Sequence, residues 1–455
     1  MVHPRESAAR GYSRGGEGGT SYPGAMHDAR MLLDPATDAA RRLARRGLDL
    51  DLGRVEELLA ARNSAIGQGD AARAEAKRIA AQVQAAARRG EDTGELVARA
   101  RELKEVQSAA AGRAAQAGER LQELLMGIPN LPSDAAPDGL TEDDAVEVRR
   151  SGPPPRFEHT PRDHVELGEA MGIFDFGRAT KLAGPRFAIS RGAGAVLERA
   201  LAQLFLDLHT RRHGYTEYSV PHLVTRETMT GTGQLPKFEQ DLFATSVGTR
   251  ELFLIPTAEV PLTNLHAGEV LPADALPLAI TAHTPCYRSE AGSYGRDTRG
   301  ILRLHQFSKV ELVRVCRAAD SAAQLEIMLG HAEACLAELG LAYRVIALAA
   351  GDLGFSAQFT YDVEVWLPSQ DRYREISSCS DCGTFQARRA NIRVREAENR
   401  REFAATLNGS GLPIGRTLAA VLEQGQQPDG SVLLPEALVP YTGFAVLKAD
   451  GATTT

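Results

Sequence analysis

Three stretches of this sequence place charged and hydroxyl side chains inside segments that are otherwise apolar. They are residues 256–259, 287–311 and 373–378, the last followed downstream by residues 408–417. A single Arg–Glu pair is most often a surface ion pair of little consequence. A whole set of such residues on neighbouring strands is costly to bury unless ligands pair with it. The set therefore indicates a binding site.

The residue types in these stretches match the requirements of a nucleoside triphosphate. The guanidinium groups of Arg288, Arg303 and Arg416 can each bind phosphate oxygens through two parallel hydrogen bonds. Glu375 and Ser378 offer the carboxylate and hydroxyl oxygens that Mg²⁺ prefers. We therefore expect ATP as a substrate and Mg²⁺ as its companion ion.

The remaining polar residues suit an aromatic base and a small amino acid. Phe307, with the backbone around Glu290, could provide the face and edge contacts for adenine. Glu259 and Glu311 could pair with an ammonium group. The sequence offers no nucleophile–base arrangement of the Ser-His-Asp kind. Catalysis would then rest on positioning and on neutralisation of charge.

Composition limits the class of protein. With 455 residues, 43% hydrophobic and 24% charged, the chain fits a soluble globular protein of two or three domains. No run of 18 apolar residues predicts a membrane helix. A net charge of -7 argues against a general coat for nucleic acid. Five cysteines without an export signal favour reduced thiols in the cytoplasm.

The cysteine spacing contains one metal-like motif, the CxxC of Cys379 and Cys382. A structural zinc site needs four ligands, and no second pair follows. No zinc is therefore expected.

Residues 51–125 lack proline and repeat small apolar side chains at intervals of three and four. This is the pattern of a coiled-coil seam. A polar stretch over residues 88–94, with two glycines, divides the seam in two and predicts an antiparallel helical hairpin. Basic residues near its far end could contact phosphates, although composition alone favours a solvated helix face by about two to one. They are Arg73, Lys77, Arg78, Arg88 and Arg89.

Beyond the hairpin, strand-like segments outnumber helix-like ones between residues 250 and 400. This favours an α+β fold, with an antiparallel sheet flanked by helices, over a doubly wound parallel sheet. Neither GxGxxG nor GxxxxGK[ST] occurs in this region.

Six segments, in matching order, resemble seryl-tRNA synthetases, and the resemblance runs from about residue 30 to residue 445. The segments are residues 232–239, 255–261, 287–292, 305–307, 374–380 and 406–411. The resemblance implies a class II antiparallel sheet, a hairpin arm that grips tRNA(Ser), and a homodimer with residues 215–221 at its interface. It leaves tRNA(Sec) open as a further acceptor.

The resemblance also implies a division of the chain and a role for each matching residue. The expected division is a disordered extension (1–25), a tRNA-binding hairpin domain (26–132), a linker (133–160), a catalytic domain (161–445) and a flexible tail (446–455). The residues that resemble serine ligands are Thr257, Ala258, Glu259, Arg288, Glu311 and Ser410. Those that resemble ATP ligands are Arg288, Ser289, Glu290, Arg303, Phe307, Glu375, Ile376, Ser377, Ser378 and Arg416.

Within these sets, Arg288, Glu375 and Arg416 resemble the catalytic residues, and Glu375 and Ser378 resemble the magnesium ligands. Three positions depart from the family pattern: Phe359, the pair Ala349-Ala350, and Pro413. Alternatives stay open at this stage. They are a paralogue that loads a carrier protein, an inactive regulatory homologue, and a specialised second copy of the enzyme.

Overall fold

The computed structural model describes residues 27–291 and 299–455, so the extension predicted over residues 1–25 lies outside it. The helices are α1 (Ala29–Leu33), α2 (Ala39–Ala44), α3 (Leu52–Arg88), α4 (Gly94–Met126), α5 (His164–Ala170), α6 (Phe176–Ala183), α7 (Ala193–Asp207), α8 (Arg226–Gly231), α9 (Glu259–Asn264), α10 (Ser321–Glu338), α11 (Phe385–Ala390), α12 (Ile414–Gly425) and α13 (Val439–Thr442).

The strands follow the same chain order. They are β1 (Val146–Ser151), β2 (Thr216–Glu217), β3 (Leu223–Val224), β4 (Ala244–Val247), β5 (Arg250–Leu254), β6 (Val270–Pro272), β7 (Leu278–Tyr287), β8 (Gln306–Arg317), β9 (Tyr343–Ala347), β10 (Phe359–Leu367), β11 (Arg372–Asp381), β12 (Arg393–Arg395), β13 (Arg401–Pro413), β14 (Val432–Leu433), β15 (Val446–Leu447) and β16 (Thr453–Thr454).

Helices α3 and α4 form the predicted antiparallel hairpin. The buried positions in the outer part of α3 recur every seven residues, at Ala65, Ala72, Ile79 and Ala86. Small side chains at these positions let the two helix backbones approach closely, but they bury little apolar area. Near the base the buried positions of α4 include Leu121 and Leu125.

The large sheet has the strand order β1-β9-β10-β11-β13-β8-β7-β2. Every pair along this path is antiparallel except β2 with β7. Helices α7, α10 and α12 contribute their buried residues to the same apolar cluster as the central strands. The sheet is therefore mainly antiparallel and flanked by helices, as the sequence predicted.

The central strand β8 separates that core from a polar face. Val310 and Leu312 lie in the main core, and because side chains alternate along a strand, Lys309 and Glu311 point to the opposite face. In β13, which pairs with β8, Ser410 lies directly opposite Glu311 and so shares its face.

Glycines on either side of Ser410 allow the helices to approach this part of the sheet. A Cβ atom on Gly409 would lie 2.9 Å from both Met328 Sδ and Cys379 Sγ. A Cβ atom on Gly411 would lie 2.5 Å from His209 Nε2. Neither position can hold a larger residue without displacing the core.

The base of the hairpin is attached to the domain that holds the large sheet by hydrogen bonds to backbone carbonyls. The Arg46 guanidinium donates to the carbonyls of Asn130, Leu353, Gly354 and Ala357. The Asn130 amide donates to the carbonyls of Ser356 and Cys382, each at 2.9 Å. All four acceptors of Arg46 are uncharged carbonyls, and burial lowers the pKa of Arg46 to about 10.

Two segments differ from the expected division of the chain. The segment expected as a linker (133–160) contains β1, which is an edge strand of the large sheet. The segment expected as a flexible tail (446–455) contains β15 and β16, which pair with each other, and β15 also pairs with β14. Leu447 is fully buried there. Both segments therefore contribute strands to sheets of the structure.

Within the described ranges no helix has the length and apolar character needed to cross a membrane.

The thin seam of the hairpin leads to a prediction about its stability. Leu103 is a large buried side chain in the outer seam, 6% exposed. Replacing it with alanine should destabilise the hairpin by about 2 kcal/mol, which corresponds to roughly 30-fold faster amide exchange in α3 and α4. Exchange in the sheet strands should not change. Val106 on the same helix is 47% exposed, so Val106→Ala is the matched control. Equal exchange in the two variants would contradict the seam assignment.

Candidate active site

The buried carboxylate of Glu311 is the centre of a small polar pocket. Its Oε2 atom accepts a hydrogen bond from Thr257 Oγ1 at 2.6 Å and pairs with Lys309 Nζ at 2.5 Å. Its other oxygen, Oε1, is buried and has no hydrogen-bond partner within the described residues. Ser410 lies on the neighbouring strand directly opposite. The pocket therefore presents an unsatisfied acceptor, which a small polar ligand could satisfy.

A second carboxylate, that of Glu259, lies at the start of α9 beside this pocket and is also buried. Burial, together with the nearby Glu311 charge, raises the pKa of Glu259 to about 7. Its Oε1 atom accepts a hydrogen bond from Gln386 Nε2 at 2.7 Å. The intervening residue, Ala258, packs in an apolar cluster with Val313, so its side chain supports the pocket from below.

A larger cleft of about 1050 Å³ lies on the same face of the sheet. Its lining includes Arg303, Asp362, Glu375, Ser378 and Arg416. The pocket residues Thr257, Glu259, Glu311 and Ser410 do not line this cleft. The predicted amino-acid ligands and the predicted phosphate and metal ligands thus occupy two adjoining regions.

A β-bulge brings two of the cleft residues to one face. Ser378 pairs with Asp362, and Glu375 pairs with Glu364, with a register shift between them. Without this extra residue, side chains three apart in a strand would face opposite ways. The side chains of Ile376 and Ser377, between them, are turned away from the cleft. Ile376 lies in the main core, and the Ser377 hydroxyl donates to the Ser410 carbonyl at 2.7 Å.

Arg416 approaches Glu375 from the first turn of α12. Its Nη1 atom donates to the Glu375 carbonyl at 2.8 Å and lies 3.3 Å from the carboxylate oxygen Oε1. The charge of Arg416 lowers the pKa of Glu375, and Arg288 acts in the same direction. Burial and the Glu375 charge raise the pKa of Asp362 well above its usual value. These pKa shifts favour the ionised form of Glu375 and the protonated form of Asp362.

Arg288 lies between the two regions, immediately after β7. Its guanidinium is stacked 5.2 Å from the centroid of the Phe307 ring, and its Nε donates to the Pro256 carbonyl at 3.2 Å. Its positive charge lowers the pKa of Glu375 and opposes the rise in the pKa of Glu259. One cation therefore acts on the pocket and on the cleft together.

Of the other residues predicted for ATP, Arg303 lines the cleft, whereas Ser289 and Glu290 do not. Arg303 Nη1 pairs with Glu290 Oε2 at 2.6 Å. The Ser289 hydroxyl donates to the Gln240 carbonyl at 2.6 Å, so its side chain contacts a neighbouring loop. Glu290 adopts a positive φ of 53°, an uncommon conformation for this residue type.

Three residues of the site were missed by sequence reasoning. Lys309 is two positions before Glu311 in β8, so the period of two along a strand could have identified it. Asp362 belongs to β10, and its place opposite Ser378 depends on strand pairing. Gln386 contacts Glu259 across 127 residues of sequence, and no local pattern marks it. The CxxC cysteines have different surroundings: Cys379 lies in the main core and Cys382 beside Asn408.

The structure does not gather the five basic residues of the hairpin into one patch. Arg73 and Arg88 are fifteen positions apart on α3, which at ~1.5 Å per residue is about 22 Å. Arg73 and Arg78 each pair with an acidic residue one turn away on the same helix, and Arg89 pairs with Glu91 at the turn. The basic residues instead extend along the outer half of the arm.

Comparison with known proteins places this architecture in a family. The model for the tRNA synthetase class II core domain (G, H, P, S and T) matches residues 241–425. The model for the seryl-tRNA synthetase N-terminal domain matches residues 26–132.

Individual proteins agree with the family models. The chain is 62% identical over 429 residues to serine--tRNA ligase 2 of Streptomyces avermitilis, covering 94% of this chain and 100% of that protein. It is 52% identical to the serine--tRNA ligase of Nitratidesulfovibrio vulgaris, covering 92% of this chain and 98% of the relative. The crystal structure of seryl-tRNA synthetase from Pyrococcus horikoshii, complexed with ATP, is similar with a TM-score of 0.87 and 32% identity, covering 93% of this chain and 99% of that one. The chain therefore belongs to the seryl-tRNA synthetase family.

Proposed function

We propose that the protein activates L-serine with ATP and transfers the seryl group to the 3′ end of tRNA(Ser). The observation that carries this proposal is the buried, unsatisfied Oε1 atom of Glu311. A buried carboxylate oxygen without a hydrogen-bond partner is unfavourable in a protein interior. A ligand that brings a hydroxyl or an ammonium group into the pocket would satisfy it, and serine carries both.

Serine fits the pocket by hydrogen bonding. Glu259 and Glu311 offer negative charge to the ammonium group, and Ser410 and Thr257 offer hydroxyls near the substrate hydroxyl. Such a pocket discriminates strongly against alanine, because its buried polar groups would be left unpaired when the hydroxyl is absent. Threonine must be excluded by shape.

ATP fits the adjoining cleft. Arg416 and Arg303 line it, Arg303 pairs with Glu290, and Arg288 lies between the cleft and the pocket, so the three arginines can neutralise phosphate charge. Phe307, stacked on Arg288, provides an aromatic surface for adenine. Arg288 also acts on the charge of Glu259 in the pocket, so it is suited to bridge the α-phosphate and the serine carboxylate.

The donor set of the cleft is also suited to Mg²⁺, which prefers carboxylate and hydroxyl oxygens. Glu375 and Ser378 face the cleft together, and a buried oxygen of Asp362 beside them has no hydrogen-bond partner in the described chain. Glu375 and Ser378 would hold the ion. When bound, Mg²⁺ would screen the charge of the phosphates.

The reaction then proceeds in two steps that need no covalent bond to the protein. A serine carboxylate oxygen attacks the α-phosphorus of ATP in line, the bond to the bridging oxygen breaks, and pyrophosphate leaves. The terminal ribose hydroxyl of tRNA next attacks the seryl carbonyl carbon and displaces AMP. Arg288 and Arg416 stabilise the negative charge that develops on the phosphate oxygens, and the pocket holds serine in position for attack.

The hairpin is suited to hold tRNA outside the catalytic domain, since the residues proposed to bind serine and ATP all lie outside the hairpin. The exposed basic residues along its outer half can contact phosphates. A homodimer is supported by β2, a short edge strand whose outer side is exposed beside Tyr218. Such an edge is usually covered in the native assembly.

Substitution of Arg288 tests the placement of ATP. Arg288→Ala should slow serine-dependent ATP–pyrophosphate exchange by at least about 100-fold, because a charge that stabilises the transition state is lost. Arg401 is exposed at the far end of β13, so Arg401→Ala is the matched control and should leave the exchange rate unchanged. Near-normal exchange in Arg288→Ala would show that Arg288 does not serve the reaction.

Substitution of Ser410 tests the recognition of serine. Ser410→Ala should lower kcat/KM for serine by about tenfold or more, since the loss of a hydrogen bond to the ligand leaves other polar groups unsatisfied. The ratio of kcat/KM for serine to kcat/KM for alanine should decrease, while the KM for ATP should change little. If the KM values for ATP and serine rose equally, Ser410 would belong to the nucleotide site or to the fold.

Deletion of the outer hairpin tests the role of the arm. Arg113 on α4 donates a hydrogen bond of 2.9 Å to Gln68 on α3, so the two helices lie side by side at this level. If residues 65–112 are removed, a short turn can therefore connect the two helix ends that remain. The apolar cluster at the hairpin base, which includes Val55, Leu58 and Leu121, is retained.

Pyrophosphate exchange should therefore persist in the truncated protein, and aminoacylation of tRNA(Ser) should fall sharply through a raised KM for tRNA. Both reactions can be measured on the same preparation. Normal aminoacylation by the truncated protein would show that the arm is a solvated coiled coil without a role in tRNA binding.

A further inference from the structure

Gln386 is a buried glutamine whose side chain connects α11 with the proposed serine pocket. It is 1% exposed. Its Nε2 atom donates to Glu259 Oε1 at 2.7 Å and to the Thr232 carbonyl at 3.1 Å. Its Oε1 atom accepts from Thr406 Oγ1 at 2.7 Å. Every polar atom of this side chain is therefore engaged.

The partners determine which way the amide group points. The ionised Glu259 carboxylate and the Thr232 carbonyl can only accept hydrogen bonds, so the amide nitrogen must face them. The amide oxygen must then face Thr406, whose hydroxyl is able to donate. The Thr232 carbonyl thus determines the orientation in which Gln386 donates to Glu259, and the Thr406 hydroxyl stabilises it.

The helix that carries Gln386 is itself held firmly in place. Arg389, one turn further along α11, is buried, and its Nη2 atom donates to the Leu235 carbonyl at 2.8 Å. Ala387 packs in an apolar cluster with Val315 of the sheet. Because α11 is held on both sides, the amide of Gln386 occupies a fixed position relative to the Glu259 carboxylate.

We infer that Gln386 is a positioning residue for serine: it holds the Glu259 carboxylate ionised and directed toward the substrate ammonium group. This inference rests on the proposed function. Gln386 does not itself touch serine in this scheme. It acts through Glu259, so its effect should appear in the affinity for serine and not in the binding of ATP.

The charges around Glu259 set the pH range in which this contact matters. Burial and the like charge of Glu311 raise the pKa of Glu259 to about 7. The Gln386 hydrogen bond opposes that rise, as do the charges of Lys309 and Arg288. The Cys382 thiol, whose pKa burial raises well above its ordinary value, also lies nearby and stays neutral.

The sign of the pH effect follows from these contacts. Serine affinity requires ionised Glu259, so it should fall as the pH drops through about 7. Loss of the Gln386 donor would raise the pKa of Glu259 further, and the fall would begin at a higher pH. A rise of about one pKa unit would weaken serine binding nearly tenfold at pH 6.5, with little effect at pH 8.5.

The test is serine-dependent ATP–pyrophosphate exchange by full-length Gln386→Met between pH 6.5 and 8.5. The KM for serine should rise about tenfold at pH 6.5 and approach the wild-type value at pH 8.5. The KM for ATP should stay within about twofold at every pH. Gln426 is an equally buried glutamine at the end of α12, bonded to the Arg162 and Glu423 carbonyls. Gln426→Met is therefore the matched control, and its serine KM should keep the wild-type pH profile.

A second variant covers the possibility that Gln386→Met does not fold. Thr406→Val keeps the side-chain shape but removes the hydroxyl that orients the amide, so it should shift the pH profile in the same direction by a smaller amount. A wild-type pH profile in the folded variants, or an equal change in Gln426→Met, would overturn the inference. Absence of serine-dependent exchange in the wild-type protein would instead overturn the proposed function.

Discussion

The buried pair of Lys309 and Glu311 is the interaction on which the site depends. Removing two charges from water is unfavourable by several kcal/mol per ion, and mutual attraction offsets this only when the geometry is good. Here the Lys309 ammonium and the Thr257 hydroxyl share one carboxylate oxygen, and the other oxygen is left without a partner in the described structure. An arrangement optimised for stability alone would provide hydrogen bonds to both carboxylate oxygens. The pocket instead leaves one oxygen available to a ligand, in keeping with the view that binding sites retain locally unfavourable features.

The rest of the catalytic domain can be understood as the support for this pocket. The alternation of β8 places apolar residues in the core and charged residues in the site. Gly409 and Gly411 allow helices to pack closely behind Ser410. The bulge in β11 turns Glu375 and Ser378 to the same side. In each case the backbone of a strand fixes the direction of a side chain, and a strand is more rigid than a loop.

The stability of the hairpin has a different origin. Its seam is made mostly of alanine, so its stability comes from the regular packing of two long helices and not from a large apolar core. Its base, by contrast, is joined to the domain that holds the large sheet by the half-buried Arg46 and the buried Asn130. This combination gives an arm that is firmly attached at one end and only modestly stable along its length. Such an arm can adjust to a large ligand while the sheet stays rigid.

The sequence by itself determined the kind of structure and most of the chemistry. The seven-residue spacing of small side chains predicted the hairpin because coiled-coil packing is local and periodic. The charged residues inside apolar segments, such as Glu259 and Glu311, identified the site because unpaired burial of charge is unfavourable. Resemblance to a family then assigned a role to each of these residues, and relatives of 50% identity and above confirmed the family.

Tertiary structure decided what depends on contacts between distant segments. The opposition of Ser410 to Glu311 and of Asp362 to Ser378 required the strand register, which a pattern of residue types cannot fix. The edge strand β1 lay in a segment that reads as a proline-rich linker, because an exposed strand buries few apolar residues. The sequence could not identify Gln386 because its role depends on one hydrogen bond to Glu259, 127 residues away in the chain. Only the packing of α11 against the sheet brings the two residues together.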